Sequence, residues 1–157
     1  MQDDFTKLEQ SAWGGLLGMY GRLFRLIDTD LHSQSQITHV EFEVLLRLSW
    51  EKEHGLRIQD LAERSVLTRS GMSRVVERLE KVGLVKRKKA DEDRRGAYAI
   101  LTEAGNVRLQ SALTAHVAFV REHFLSYFSD HELEQMSIFW RRVDQSNHPK
   151  TEVESDE

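Results

Sequence analysis

Residues 68–85, TRSGMSRVVERLEKVGLV, decide how the chain folds. Thr68 is a good helix N-cap, because its hydroxyl can accept from a backbone N–H of the first turn. The apolar residues then recur at steps of three and four and form a stripe that we expect to be buried: Met72, Val75, Val76, Leu79 and Val82. Gly83 stands where a left-handed glycine often ends a helix. The stretch therefore predicts an amphipathic helix with one buried face and one polar face.

The neighbouring segments complete a small motif around this helix. Residues 58–64 predict a short helix, and a three-residue turn at 65–67 follows it. Further upstream, Thr38 and Glu41 have the spacing of a capping box that begins another helix. Downstream, residues 84–88 and 96–101 have the composition of strands and are joined by a charged turn at 89–95. Short helices, a tight turn and a charged hairpin predict a winged helix-turn-helix.

Long helices flank this motif on both sides. Apolar residues follow one helical period from Phe5 to Leu31, Thr102 can cap a later helix, and Ser129 with Glu132 forms a capping box for the last one. The later helices are expected to bury Leu109, Leu113, His116, Val120, Phe124 and Tyr127, and then Leu133, Met136, Trp140 and Val143. The predicted fold class is mainly α with a small β-hairpin wing (α+β), with long N- and C-terminal dimerisation helices.

A length of 157 residues without an internal repeat predicts one domain. We expect this domain over residues 1–146, with the winged lobe at 38–101 and the dimerisation helices at 5–32 and 102–146. Residues 147–157 are polar, end acidic and contain the chain's one proline, so they predict a disordered acidic tail.

The composition excludes several classes of protein. The chain has no cysteine, which removes disulfides, thiolate metal sites and cysteine nucleophiles. It has no apolar run of the roughly 18 to 20 residues that a membrane span needs. Its first residues are acidic rather than basic and then apolar, so no signal peptide is predicted. We therefore expect a cytoplasmic protein without a membrane partner.

The net charge of −4 conceals a separation of charge along the chain. Residues 57–95 contain twelve Lys and Arg against seven Asp and Glu, which gives +5 for this segment and −9 for the flanks. A basic segment between acidic flanks is typical of a DNA-contacting lobe carried by elements that do not touch DNA.

The sequence resembles the multiple antibiotic resistance regulator (MarR) family over residues 5–145. The resemblance is carried by the stretch 68–85, by Asp93-Arg94-Arg95 and by the segment LTEAG at 101–105. One departure is Ala90-Asp91, where many members carry Asp-Pro. The resemblance implies a bacterial homodimeric transcription factor, usually a repressor released by a small ligand. A two-fold dimer with one recognition helix per subunit would bind double-stranded DNA at an inverted-repeat operator.

The candidate DNA-binding residues lie on the polar face of the helix at 68–81 and on the wing: Thr68, Arg69, Ser70, Ser73, Arg74, Glu77, Arg78, Lys86, Lys88, Lys89, Arg94 and Arg95. Arg69 and Arg74 can each make a two-pronged contact with guanine in the major groove. Short serines allow the backbone to approach phosphates, and the wing lysines would contact phosphates without reading sequence.

Two assignments in this set stay open. Glu77 can accept from a cytosine amine or form an ion pair with Arg74 or Lys81, and the sequence favours the ion pair. The resemblance implies that one wing arginine enters the minor groove, where narrow A·T tracts concentrate negative potential. The sequence does not distinguish Arg94 from Arg95 in that role.

A ligand site is implied by the resemblance alone. Family members bind small aromatic acids and phenols between the first helix, the second helix and the start of the fifth. Here Trp13 can stack on a ring, and Tyr20, His39 or His116 can donate to a hydroxyl or carboxylate. The alternative is that these side chains are ordinary core or dimer contacts.

Three rival functions compete with a DNA-binding regulator. A zinc-responsive regulator needs clustered ligands, but the seven histidines form no tight i, i+4 pair, so we expect no metal and no cofactor. A winged-helix module for protein assembly would carry apolar anchors where this chain has arginines. An enzyme is not expected, because no nucleophile stands beside a base and no phosphate-cradling loop is present.

Overall fold

The computed structural model describes residues 4–51, 55–89 and 97–147, and the chain divides into two compact units, residues 1–119 and 120–157. In chain order the helices and strands are α1 (Lys7–Ser35), α2 (His39–Trp50), β1 (Leu56–Arg57), α3 (Ile58–Glu63), α4 (Arg69–Lys81), β2 (Val85–Lys89), β3 (Ala97–Leu101), α5 (Glu103–His123) and α6 (Asp130–Asn147). This is the predicted fold class, mainly α with a small winged sheet.

Helix α1 begins at a capping box, in which Thr6 and Glu9 satisfy each other's backbone N–H groups. It ends at Gln36, whose φ of 55° lies in the left-handed region. The predicted long helix is confirmed, and it continues four residues beyond Leu31. Only the C-terminal end of α1 supplies fully buried residues, Leu31 and Ser35.

The core of the first unit lies where α2, α3 and α4 meet the sheet. Helix α2 starts at the predicted Thr38–Glu41 capping box and contributes Phe42, Val44, Leu45 and Leu48 to this core. The stripe of α4 is buried as predicted at Met72, Val75, Val76 and Leu79. Val82 was wrongly placed in that stripe, since it is 63% exposed. The helix ends at Lys81, so the helical period no longer directs the next side chain inward.

The sheet has three antiparallel strands in the order β1-β3-β2. The predicted hairpin is confirmed, with Val85 opposite Leu101 and Lys88 opposite Tyr98. Strand β1 was not predicted, because two residues are too short to show a period. Gly55 permits its approach to β3 with a φ of +68°, and a Cβ there would overlap the carbonyl oxygen of Ala99.

The segment 101–105 joins the sheet to α5 through a close backbone contact. The Thr102 N–H donates to the Leu84 carbonyl at 3.1 Å, and the Thr102 hydroxyl donates to the Gly83 carbonyl at 2.7 Å. The same hydroxyl accepts from the Gly105 N–H at 3.0 Å, so Thr102 also caps α5 as predicted. A Cβ on Gly105 would overlap the Leu84 carbonyl oxygen, which explains the small residue at this position.

The second unit begins in the last turn of α5 and contains α6. The predicted continuation of α5 through Phe124 and Tyr127 is wrong, because Phe124 leaves helical geometry at φ −139° and a 3₁₀ turn follows at Leu125–Tyr127. The Ser129–Glu132 capping box is confirmed. Trp140 and Val143 were expected to be buried, but they are 49% and 53% exposed in the single chain.

Part of the sequence prediction concerns residues outside the described ranges. Arg94, Arg95 and most of the charged turn lie there, and so do residues 148–157 of the predicted tail. The backbone of Lys89 is described as the end of β2, but its side chain is not. The proposed extent of a single domain over 1–146 stays a prediction.

Candidate nucleic-acid interface

The start of α4 is built around the hydroxyl of Thr68. This hydroxyl accepts from the Gly71 N–H at 3.2 Å and lies 3.2 Å from the Ser70 hydroxyl. Thr68 itself is extended at φ −69° and ψ 160°, so the helix begins abruptly after the turn. The first turn contains no acidic residue. The partial positive charge of the helix N-terminus is therefore not neutralised by a nearby carboxylate, as suits an anion such as a DNA phosphate.

The predicted contact residues of α4 share one face of the helix. Thr68, Arg69, Ser70, Arg74, Glu77 and Arg78 are exposed, and Ser73 is half-buried. The opposite face carries the buried apolar stripe that packs into the core. The structure thus places two arginines and three hydroxyls on a solvent-facing ridge, which is the arrangement that a major groove can accept.

Glu77 on this face forms an ion pair with Lys81, with 2.9 Å between Oε1 and Nζ. The hydrogen bond from Lys81 and its positive charge lower the pKa of Glu77, and Arg87 and Arg74 add smaller effects in the same direction. Of the two roles considered for Glu77, the structure shows the ion pair.

Arg78 reaches from the exposed face to a buried carboxylate on another helix. Its Nε lies 2.5 Å from Oε1 of Glu41, and the Arg78 side chain is 56% exposed whereas that of Glu41 is 7% exposed. The second oxygen of Glu41 accepts from the Thr38 N–H at 2.7 Å and from the Thr38 hydroxyl at 3.0 Å. One carboxylate therefore caps α2 and holds α4. The sequence predicted the cap but not the ion pair.

A second arginine, Arg87, ties the wing to α4. Its Nη2 donates to the Ser73 carbonyl at 2.9 Å, and its Nε lies 3.3 Å from Glu80 Oε2. The Arg87 backbone N–H also donates to Glu80 Oε1 at 3.1 Å. This residue was not among those predicted from the sequence. The alternation along β2 was the available signal, because it places Arg87 on the same side as the buried Val85.

The opposite side of β2 carries the predicted phosphate contacts. Lys86 and Lys88 are exposed and alternate with the inward-facing residues. In the same row of the sheet as Lys88, Tyr98 accepts at 3.0 Å from Nε of Arg57, whose guanidinium lies 5.4 Å from the ring centre. The described part of the wing thus adds several cations to those of α4.

The predicted ligand residues divide into two sets. His39 and His116 lie in an aromatic cluster with Phe24 and Phe42, in which Phe24 meets His39 edge-on at 4.9 Å and Phe42 lies 4.7 Å from His116. Tyr20 joins this cluster through Phe24 at 5.8 Å. Trp13 is two helical turns earlier on α1, and Trp13 and Tyr20 are about half exposed.

Two polar atoms in the aromatic cluster have no hydrogen-bond partner. These are Nδ1 of His39 and Nδ1 of His116, and both are buried. The two rings lie 6.2 Å apart, while the His39 backbone N–H donates to Asp28 at 2.8 Å. Burial lowers the pKa of His116, and the neighbouring His39 lowers it further. Unpaired buried nitrogen atoms are costly, so they mark a place where a bound polar group would be stabilised.

A separate cleft of about 340 Å³ opens between the end of α1, the start of α2, the end of α4 and the start of α5. Ile37, Leu79 and Leu84 form its apolar floor, and Arg78 and Arg108 line it. None of the four predicted ligand residues is among those that line this cleft.

Metal ligands and membrane-crossing helices are both lacking in the described part of the chain. In ranges 4–51, 55–89 and 97–147, no group of three or more His, Asp or Glu side chains could hold a metal ion. Over the same residues, none of the helices combines the length and hydrophobicity that crossing a bilayer requires.

Comparison with known proteins gives a consistent family. The model of the MarR family matches residues 37–96. The chain is 29% identical over 107 residues to the HTH-type transcriptional regulator PapX of Escherichia coli, an alignment covering 68% of this chain and 65% of PapX, so the chain spans slightly less than two thirds of that relative. An uncharacterized HTH-type transcriptional regulator of Bacillus cereus is 30% identical over 114 residues, with 73% and 74% covered.

A solved structure resembles nearly the whole chain. It is the crystal structure, in complex with DNA, of Sco3205, a MarR family transcriptional regulator from Streptomyces coelicolor. The TM-score is 0.86 at 28% sequence identity, with 96% of this chain and 94% of that chain covered. The similarity therefore extends beyond the winged motif to the flanking helices.

Proposed function

Because the chain belongs to the MarR family of DNA-binding transcriptional regulators, which are not enzymes, we propose that it acts as a homodimeric repressor. It binds an inverted-repeat operator in the cytoplasm and is released by a small aromatic or phenolic ligand. The observation that carries the DNA-binding part is the solvent-facing ridge of α4, where Arg69 and Arg74 stand beside the hydroxyls of Thr68, Ser70 and Ser73.

The contacts divide by chemistry. Arg69 and Arg74 read guanine edges, while the hydroxyls and the N-terminus of α4 approach phosphates. Lys86, Lys88 and Lys89 on β2 contact phosphates, and Arg94 or Arg95 enters a flanking minor groove.

Two charged residues of α4 have partners that limit their role on DNA. Glu77 is engaged by Lys81, and Arg78 is held at its Nε by Glu41, which leaves its Nη groups for the DNA backbone. We assign neither of them to base readout.

Exposed apolar side chains support the homodimer. In the first unit, α1 exposes Trp13, Leu17 and Tyr20 by about half. In the second unit, α6 exposes Phe139 and Trp140 by similar fractions. A single soluble chain rarely leaves so many large apolar side chains in water, whereas the interface of a permanent dimer buries them.

The aromatic cluster supports the ligand part of the proposal. An aromatic ring entering beside Phe24 and Phe42 would gain stacking or edge contacts, with Trp13 and Tyr20 closing over it. A phenolic hydroxyl could pair with the unpartnered Nδ1 of His39 or His116. A zinc-responsive regulator would need at least one more ligand beside this pair, and the described residues supply none.

The test uses gel shifts with duplex DNA from the region upstream of the protein's own gene. Arg74→Ala should weaken specific binding by about 1 to 3 kcal/mol and relax base choice at one position in each half-site. Lys88→Ala should weaken binding to all sequences alike and reduce the salt dependence by about one unit. Lys7→Ala, at the far N-terminus of α1, is the control and should change neither.

Two results would contradict the proposal. Equal losses of specific and non-specific binding in both variants would remove the division between Arg74 and Lys88. Failure of the wild-type chain to bind any duplex would favour the protein-assembly module instead. In vitro transcription with the bound operator then distinguishes repression from activation.

A further inference from the structure

We propose that the cleft between α1, α2, α4 and α5 is a binding site for a small aliphatic carboxylate, with Arg78 and Arg108 as the groups that hold the carboxylate. This site is separate from the aromatic cluster around His39 and His116. Binding to it is independent of the proposed function, whereas its effect on DNA rests on that function.

The charges of the cleft are unbalanced. Arg78 and Arg108 line it, and Glu41 is the one carboxylate among its lining residues. Both oxygens of Glu41 are already engaged, one by Arg78 and the other by Thr38. The cleft thus has one excess positive charge, which a bound monoanion would neutralise.

Arg108 is the less committed of the two arginines. It is half-buried, and its Nη1 donates at 2.6 Å to the backbone carbonyl of Ser35, a neutral group at the C-terminal end of α1. A guanidinium has five N–H donors, so most of those on Arg108 remain for another acceptor. Within the described residues, Arg108 forms no ion pair with a carboxylate.

The apolar part of the cleft indicates the rest of the ligand. Ile37, Leu79 and Leu84 are almost fully buried beneath it, and Val82 lies at its edge with an exposed side chain. All four are aliphatic, in contrast to the rings of the other site. An apolar floor with a few convergent charged groups is the usual design of a small-molecule site. A volume of about 340 Å³ accommodates a chain of several methylene groups.

The position of the cleft gives the bound acid a direct connection to α4. Arg78 belongs to that helix, and its ion pair with Glu41 also involves the residue that caps α2. A carboxylate that binds Arg78 competes with Glu41 for the same guanidinium. Occupation of the cleft would therefore weaken the contact that holds α4 against α2.

Calorimetric titration of the full chain with hexanoate, butanoate and hexanamide tests the site without DNA. We expect one hexanoate per chain, binding roughly tenfold more tightly than butanoate because two further methylenes are buried. Hexanamide has the same shape without the charge, so it should bind at least tenfold more weakly than hexanoate.

Variants then assign the residues. Arg108→Met should weaken hexanoate binding at least tenfold, and Arg108→Lys should fall between it and the wild type because a lysine keeps the charge without the fork. Arg121→Met, an exposed arginine further along α5, and His116→Phe should leave binding unchanged. Circular dichroism and the melting temperature check that Arg108→Met folds, and Arg108→Lys carries the test if it does not.

Several results would overturn the proposal. They are no hexanoate binding up to about 10 mM, equal binding of hexanamide, or unchanged binding in both Arg108 variants. Loss of binding in His116→Phe would place hexanoate in the aromatic cluster. Hexanoate should also weaken the gel shift of the wild type but not that of Arg108→Met. If the wild type binds hexanoate but no duplex, the proposed function fails while the site remains.

Discussion

Replacing Gly105 with alanine should destabilise the first unit more than any other single methyl addition that we propose. Gly105 lies in the first turn of α5, and an added Cβ would overlap the Leu84 carbonyl oxygen. It would also come within 2.8 Å of Leu101 Cδ1 and 3.0 Å of the Leu84 carbonyl carbon. Backbone atoms cannot rotate away as the end of a flexible side chain can, so α5 must move.

The magnitude follows from what that movement disrupts. Overpacking costs about 1 to 3 kcal/mol, and the two hydrogen bonds from Thr102 to Gly83 and Leu84 are worth about 1 kcal/mol each. Alanine regains less than about 1 kcal/mol from its better helix propensity. We therefore expect a loss of about 3 kcal/mol in the free energy of unfolding, or roughly 10 °C in melting temperature.

Urea denaturation followed by circular dichroism measures this loss, and Gly83→Ala is the matched control. Gly83 has a φ of +75°, and a Cβ added there would have no atom within 4 Å. Alanine at this position therefore meets backbone strain alone, about 1 to 2 kcal/mol. A Gly105→Ala protein as stable as the wild type, or more stable than Gly83→Ala, would refute the steric reasoning.

Three further predictions concern other parts of the chain. Protonation of His116 is disfavoured in the folded state, so its contribution to stability is present above the ordinary pKa of 6.5 and is lost as the pH falls through the lower folded value; the difference between wild type and His116→Phe in chemical denaturation at pH 8 and pH 5 should show this loss, and equal pH dependence would contradict it. Gly18→Ala should weaken dimerisation in sedimentation equilibrium if α1 packs closely against a partner chain, whereas in the single chain its Cβ meets nothing within 4 Å and would stabilise the helix by about 1 kcal/mol; a higher melting temperature with unchanged association would place the dimer interface elsewhere. Arg87→Met should reduce amide protection along β2 in hydrogen exchange, because it removes the contacts to Ser73 and Glu80, and unchanged protection would show that these contacts are dispensable.

The sequence was most informative where a side chain interacts within one turn of its own helix. The capping boxes at Thr38 and Ser129 and the left-handed Gly83 follow from spacing alone, because both partners lie within a few residues. The buried stripe of α4 also follows from its period, until the helix ends and Val82 turns outward. Local rules thus predicted the elements and the polar face of the candidate interface.

Contacts between distant segments were not predictable in the same way. Glu41 and Arg78 are 37 residues apart, and Arg108 is 73 residues from the carbonyl that it binds. No period or motif pairs such residues, because their meeting depends on how α1, α2, α4 and α5 pack. The exposed Trp140 shows the reverse limit, since an apolar period identifies a face that leaves water but not the surface that covers it.

The attachment of β2 to α4 by Arg87 has a mechanical consequence for operator choice. Three contacts, to the Ser73 carbonyl and to both oxygens of Glu80, hold the strand and the helix as one body. A reader built this way cannot open or close like a hinge to match the groove spacing of each operator. The DNA must bend or twist to fit it, and the energy of that deformation depends on base steps that no side chain touches. Flexible steps between the two groove contacts should therefore be selected in the operator as strongly as some of the bases that α4 reads.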